Sequence, residues 1–403
     1  MNKRFKRARA FVLDNWHVGL IVALGSGIVI ALLLVQLGSL VGGLSASEYQ
    51  LQQQISQNEL SFTEVISEPL FLPYKLALYL VQFLPFSGPT TLRSIGVVFG
   101  LLGTLGFFYI LNKWYSLRMA LFGTALFASS SWFLHTARFA SPNVSYLLLP
   151  LLIAGLVALQ AKTRSKWAAL LLIVFGFMAL YIPGLVWFIV PGVILQRRVI
   201  VRSIKLQKLW FNLVAGLGCI VMLIPFVYAF ATSSVSNLLL GMLGLPNGFP
   251  NLLNSLRNFG QALGDIVIYS NLGPLYTPGH LPWLDIGTVT LVFLGIVQFA
   301  RHFKLDRSKL IFLVVIFGFV LSALGGPGDL VILLPFIYLL AIEGLRWLLD
   351  AWLSVFPKNP IARSFGITVA AAIVISVGVY QTNKYYLAWG QAPETQAQFN
   401  KLP

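Results

Sequence analysis

Apolar residues fall in long uninterrupted blocks along this chain, not in the alternating or one-faced patterns of soluble strands and helices. Eleven blocks predict membrane-crossing helices, because a span takes about 20 apolar residues. They cover 17–42, 91–111, 118–134, 144–161, 167–182, 184–196, 209–231, 284–300, 309–325, 329–349 and 364–380. The fifth and sixth are short and meet at Pro183-Gly184, a tight turn for a bilayer surface. Two long polar segments interrupt the pattern, 43–90 and 232–283, and a polar tail begins at Gln381.

Composition agrees with a polytopic, all-α membrane protein of one membrane domain, 1–403. The 403 residues are 58% hydrophobic and only 10% charged, against roughly 25% charged in soluble domains. Charge then sets the expected topology. The net charge is +16, but the basic residues sit in short clusters between apolar blocks. That is the positive-inside pattern and not a patch that tracks nucleic acid. With the N-terminus cytoplasmic and the C-terminus outside, only Lys75, Arg93, Arg138, Arg257, Lys384 and Lys401 fall on the outer side. If 69–86 also crossed, every later loop would flip and the bias would be lost. This segment is therefore expected to lie in the outer interface as an amphipathic helix, with Lys75 snorkelling. Trp16, Trp114, Trp167, Trp210 and Trp283 stand at block ends, as an interfacial aromatic belt does. The basic start precedes an apolar core longer than the roughly 7–15 residues of a signal peptide, so block 17–42 reads as an uncleaved span. A single cysteine, Cys219, rules out a disulfide within the chain.

Chemistry is expected where the non-apolar sequence lies, on the outer side. Glu48 follows the first block. Arg93 opens the second. His135, Arg138 and Asn143 surround the loop between the third and fourth, and Arg257 and His280 lie in the second long segment. A carboxylate beside several cations at one membrane surface can take a proton from an attacking hydroxyl while the cations hold a phosphate leaving group. The four histidines are scattered and Cys219 stands alone, so no metal site is expected from spacing. Within the blocks the charged exception is Glu343, with Arg346 one turn on, a pair expected near the inner surface. A transporter would need more intramembrane polar groups along a path.

Several stretches resemble the GT-C class of membrane glycosyltransferases, and most closely the branch of protein mannosyltransferases and aminoarabinose transferases. They are "SASEYQLQQQISQ" with the following "EPLFLPYKLALYLVQFLPFSGPTTLRSIGVVFGLLGTLGFFYIL", then "MALFGTALFASSSWFLHTARFASPNVSYLLLPLLIAGLVAL", "GFMALYIPGLVWFIVPGVILQRR", "NLGPLYTPGHLPWLDIGTVTLVFLGIVQFARH" and "GDLVILLPFIYLLAIEGLRWL". The resemblance covers most of the chain as a pattern without an invariant signature.

The resemblance implies transfer of a sugar from a polyprenyl-phosphate donor to a lipid, glycan or protein acceptor at the non-cytoplasmic face, here of a bacterial inner membrane. It implies Glu48 as the base, with Arg93, His135, Arg138, Asn143, Arg257 and His280 around the substrates; no cofactor is expected, because Ser47 and Asn143 disfavour a divalent metal held by carboxylates. This sequence departs from the family in three places. Ser47-Glu48 replaces an Asp-Glu pair whose Asp is the family's catalytic carboxylate. Asn143 stands where a second acid is usual, and Asp329 where a basic residue is usual. A serine hydroxyl titrates far above neutral pH and is no general base without help. Two other readings stay open: an inactive relative that binds polyprenyl lipid or scaffolds a partner, and a carrier of lipid-linked sugar. On the transferase reading, Glu48→Gln abolishes transfer and spares expression.

Overall fold

A computed structural model describes residues 16–57, 60–84, 88–163, 165–195, 197–206, 209–232, 235–325 and 327–400. Nineteen α-helices form in chain order among them: α1 (Trp16–Leu34), α2 (Ala46–Ser56), α3 (Phe62–Ser67), α4 (Leu72–Val81), α5 (Pro89–Trp114), α6 (Leu117–Ala128), α7 (Ser131–Arg138), α8 (Ser145–Thr163), α9 (Lys166–Leu180), α10 (Val186–Leu195), α11 (Arg197–Leu206), α12 (Leu209–Thr232), α13 (Val235–Leu243), α14 (Leu252–Val267), α15 (Ile286–Arg301), α16 (Asp306–Gly325), α17 (Leu334–Val355), α18 (Pro360–Asn383) and α19 (Pro393–Gln398). Among the described residues six helices are long and apolar enough to cross a membrane, or seven if the bent pair α6–α7 is one span. The other four predicted blocks appear as shorter apolar helices, at Gly19–Leu34, Lys166–Leu180, Val186–Leu195 and Ile286–Arg301.

Two breaks shape the functional end. Block 17–42 does not stay helical to its end: α1 stops at Leu34 and Gln36 takes a left-handed φ of 52°. That leaves the last carbonyls of α1 without intrahelical donors. The block 118–134 bends by 66° between α6 and α7. A run of three serines explains the bend. Ser129 Oγ donates back to the Ala125 carbonyl at 2.7 Å, and Ser130 Oγ accepts from Phe133 N–H at 3.2 Å as the cap of α7. The bend turns α7 sideways and carries His135 and Arg138 toward the ends of α1 and α18.

Lipid supplies no hydrophobic drive between spans, so close backbone approach and interhelical hydrogen bonds hold them together. Helices α15 and α17 meet through Gly295 and Gly344. A Cβ on Gly295 would overlap the Leu340 carbonyl, and one on Gly344 the Leu291 carbonyl. At the end of the bundle away from the site, Tyr115 donates to Glu343 at 2.6 Å, and Arg346 bridges Glu343 and Asp350. The Glu343–Arg346 pair forms as its spacing predicts.

The segment 69–86 contains α4, a ten-residue helix too short to span. Lys75 pairs with Glu68 there, at 3.1 Å. Trp167 and Trp210 are exposed, as belt residues should be, but Trp283 is buried and stacks on Trp132 at 5.4 Å between ring centres. The tail does not trail away. After α18 it makes a π-helical turn, Lys384–Trp389, and then α19. Trp389 Nε1 and Thr395 Oγ1 both donate to the Pro274 carbonyl, at 3.0 and 3.3 Å, which ties the tail to the second polar segment.

Candidate functional site

The first site element is an ion pair. Ser45 and Glu48 form a capping box that starts α2, so the Glu48 carboxylate folds back toward the helix start. Arg93, in the second turn of α5, meets it side-on, with Nε donating to Oε1 at 2.9 Å and Nη2 to Oε2 at 2.8 Å. The Ala140 and Ser45 N–H groups also donate to Glu48, both at 3.2 Å. Arg93 gives further donors to the carbonyls of Leu37 and Gly43. Glu48 is 0% exposed. A base needs a free oxygen facing its substrate, and both oxygens of Glu48 are engaged inside the protein. This geometry suits a clamp between α2, α5 and the chain after α7. Ser47, the neighbour in the motif, faces outward and shares a hydrogen bond with Ser45 at 3.2 Å.

Arg138 ends α7 and fills the gap left by the broken first helix. Its Nη1 donates to Leu32 O at 2.9 Å and to the Tyr386 hydroxyl, and its Nη2 donates to Val35 O at 2.6 Å. The guanidinium thus caps the negative end of α1. It also lies over the rings of Tyr385 and Tyr386, at 5.2 and 4.8 Å. A guanidinium has five N–H donors, so two remain, one of them the buried Nε, which has no partner among the described residues. Arg138 is 3% exposed and, unlike Arg93, has no carboxylate partner among the described residues. Both arginines line one small cavity, about 250 Å³ of empty volume that includes open solvent, with Phe139, Tyr385, Trp389 and Phe399. Glu48 neutralises Arg93, so the cavity carries about one positive charge.

Phe139 also lines the neighbouring cleft, which holds about 460 Å³ of empty volume, part of it open to solvent. His135, Asn143 and Ser141 line it with Trp132, Tyr276 and Trp283. The His135 Nε2 lies 2.9 Å from the Leu275 carbonyl. A carbonyl only accepts, so Nε2 carries the proton and Nδ1 keeps the lone pair. The rings of Phe139, Tyr276, Trp283 and Trp389 pack around the imidazole at 5.1–5.9 Å. Among the described residues the cleft lining contains no carboxylate.

The seven sequence-derived residues therefore divide. Glu48 and Arg93 are paired, Arg93 shares a cavity with Arg138, and His135 and Asn143 share the adjoining cleft. Arg257 and His280 are not brought in. Arg257 is exposed on α14, and His280 stacks on Tyr269 and faces the Ser270 carbonyl at 3.0 Å within its own loop. The side chain of Asp329 lies outside the described residues. No cluster of three or more metal-ligating side chains forms among those described.

Sequence reasoning passed over the tail. Gln381 accepts from the Ser131 hydroxyl at 2.6 Å and donates to Asp285 at 2.8 Å, joining α18, α7 and the start of α15. Tyr385, Trp389 and Phe399 wall the arginine cavity from the same tail, and Tyr386 lies against the Arg138 guanidinium. The signal available was the aromatic run "KYYLAW" on an otherwise polar terminus.

No protein-family model matches the sequence, and no curated protein matches it. Solved structures do. The crystal structure of ArnT from Cupriavidus metallidurans in the apo state aligns with a TM-score of 0.53 at 17% identity, covering 96% of this chain and 78% of that one. A second crystal structure of that ArnT, bound to undecaprenyl phosphate, aligns with a TM-score of 0.48 at 18% identity over 96% of this chain and 77% of that one. The shared feature is the fold, and it is the one the sequence resemblance implies. The chain is an all-α integral membrane protein with an ArnT-like fold.

Proposed function

We propose that this protein transfers a sugar from a polyprenyl-phosphate donor to a lipid, glycan or protein acceptor at the non-cytoplasmic face of a bacterial plasma membrane. One observation carries the reading: Arg138 is a buried cation without a carboxylate partner among the described residues, with two donors left over, in a cavity that adjoins an aromatic cleft. A phosphate supplies the missing anion, and guanidinium groups bind phosphate well. Aromatic walls and the Asn143 amide suit a sugar in the cleft. The ArnT-like fold is in accord with this chemistry.

In this reading the proton acceptor is His135, not Glu48. The acceptor hydroxyl gives its proton to Nδ1 as its oxygen bonds to the anomeric carbon. The bond from that carbon to the phosphate oxygen breaks, and the phosphate leaves with the electron pair, held by Arg138. Arg93 and Glu48 brace the wall behind it.

A second reading has its own support. The engaged Glu48, and a cleft whose described lining holds no carboxylate, also fit an inactive relative that only holds polyprenyl lipid. Turnover separates the two. His135→Gln retains an N–H for Leu275 O and removes the ring nitrogen. In vesicles made from the native membrane lipids, wild type is expected to raise the pool of free polyprenyl phosphate. The variant should do so about 10²-fold more slowly, the lower range for a lost acid–base group. An unchanged pool with wild-type protein favours the lipid-holding reading.

A further inference from the structure

Helix α14, in the second long polar segment, has an apolar face that the described residues leave largely uncovered. Leu252, Leu253, Leu256, Phe259, Leu263 and Val267 are all exposed, the first three by 78%, 74% and 60%. At about 100° per residue they fall within an arc of about 120°. Asp265 is buried opposite the arc, and Ala262 and Ile266 are buried between it and the Phe259 edge. Arg257 and then Asn254 lie beyond the other edge, about 40° and 100° past Leu253.

The depth of this helix is set by its contacts with the span α16. Asn258 Nδ2 donates to the Ala323 carbonyl at 3.1 Å, near the end of that span. The ring of Phe259 sits edge-on to Phe319 at 5.7 Å. Phe319 lies six residues before Gly325, where α16 ends, or about 9 Å along a helix rising 1.5 Å per residue. The apolar arc of α14 is therefore level with the last turns of a span, not above them. On α16 itself Ile316 and Val320 are exposed, so the arc continues a surface that faces lipid.

We propose that α14 lies in the plane of the membrane, its apolar arc sunk among the acyl chains of the leaflet at the site end of the bundle and Arg257 reaching the headgroup phosphates. This is the arrangement of interfacial amphipathic helices, whose long cations snorkel. It gives Arg257 bulk phospholipid as its partner in place of the donor phosphate. It also has a consequence for the cleft. The Trp283 and Leu284 N–H groups donate to the Asp265 and Ile266 carbonyls of α14, both at 2.9 Å, and close the loop that carries Leu275 and Tyr276 onto this helix. The cleft wall is thus moored to the leaflet, whatever reaction occurs there.

The test uses the full chain with Cys219→Ser and one new cysteine at a time, spin-labelled and reconstituted in vesicles of equal parts phosphatidylcholine and phosphatidylglycerol. Labels replace Leu253, Leu256 and Leu263 on the arc, and Asn254 and Arg257 on its flank. These positions, except Leu263, are well exposed, so a label does not have to enter a core. The arc labels should collide more with oxygen than with a water-soluble nickel chelate, and the flank labels the reverse. Nickel-dominated collisions at all five positions would place the helix in water and overturn the proposal. Weak collisions of the arc labels with both reagents would show a protein covering the arc, and would also overturn it.

Discussion

Glu48 and Arg93 bury opposite charges in a side-on pair with five further hydrogen bonds from or to the surrounding backbone and Ser45. Such a pair contributes little net stability against an apolar substitute, because desolvation offsets the attraction, but losing one partner strands the other charge at a cost of about 3–5 kcal/mol. Glu48→Gln is accordingly expected to lower the thermal unfolding midpoint in detergent by many degrees, with Arg93→Gln doing the same. A variant as stable as wild type would mean that the carboxylate is not clamped and is available for chemistry. The two roles differ in a way sequence spacing cannot see. Glu48 and Arg93 are both visible in the sequence as rare outer charges, but their distance of 45 positions says nothing of whether they touch. The pairing depends on α1 ending early, because the Leu37 and Gly43 carbonyls orient the guanidinium.

At the scale of elements, the apolar blocks located the spans, since a block of the right length has few other uses. The interruptions were less legible. A run of three serines is compatible with a straight helix or a bent one, and only the packing of α7 against the end of α1 selects the bend. The left-handed Gln36 has no glycine or asparagine signature at all. Glycine pairing was similarly hidden, because Gly295 and Gly344 become neighbours only once α15 and α17 are side by side. Their backbones touch with no space for a side chain. Gly344→Leu should therefore separate the helices, at a cost above the roughly 1–3 kcal/mol of ordinary overpacking. The expected result is loss of the monodisperse peak in size-exclusion chromatography. A normal peak and unfolding midpoint would show that α15 and α17 do not pack this way.

Over the whole molecule, the functional end assembles from parts far apart in the chain. His135 is fixed by Leu275, Ser131 by Gln381, and Arg138 by Tyr386, over separations of 140, 250 and 248 positions. Charge bias led to the expectation of one shared face for these residues, but not to their grouping, and the tail that closes the arginine cavity gave only its aromatic composition as a sign. The central claim is that this assembled end holds a polyprenyl phosphate through Arg138. The most direct measurement is mass spectrometry of the lipids that copurify with wild type and with Arg138→Ala in mild detergent. The account predicts a polyprenyl phosphate or its sugar conjugate with wild type, depleted in the variant while bulk phospholipid is unchanged. Equal amounts of polyprenyl lipid on both proteins, or phospholipid alone on both, would contradict it.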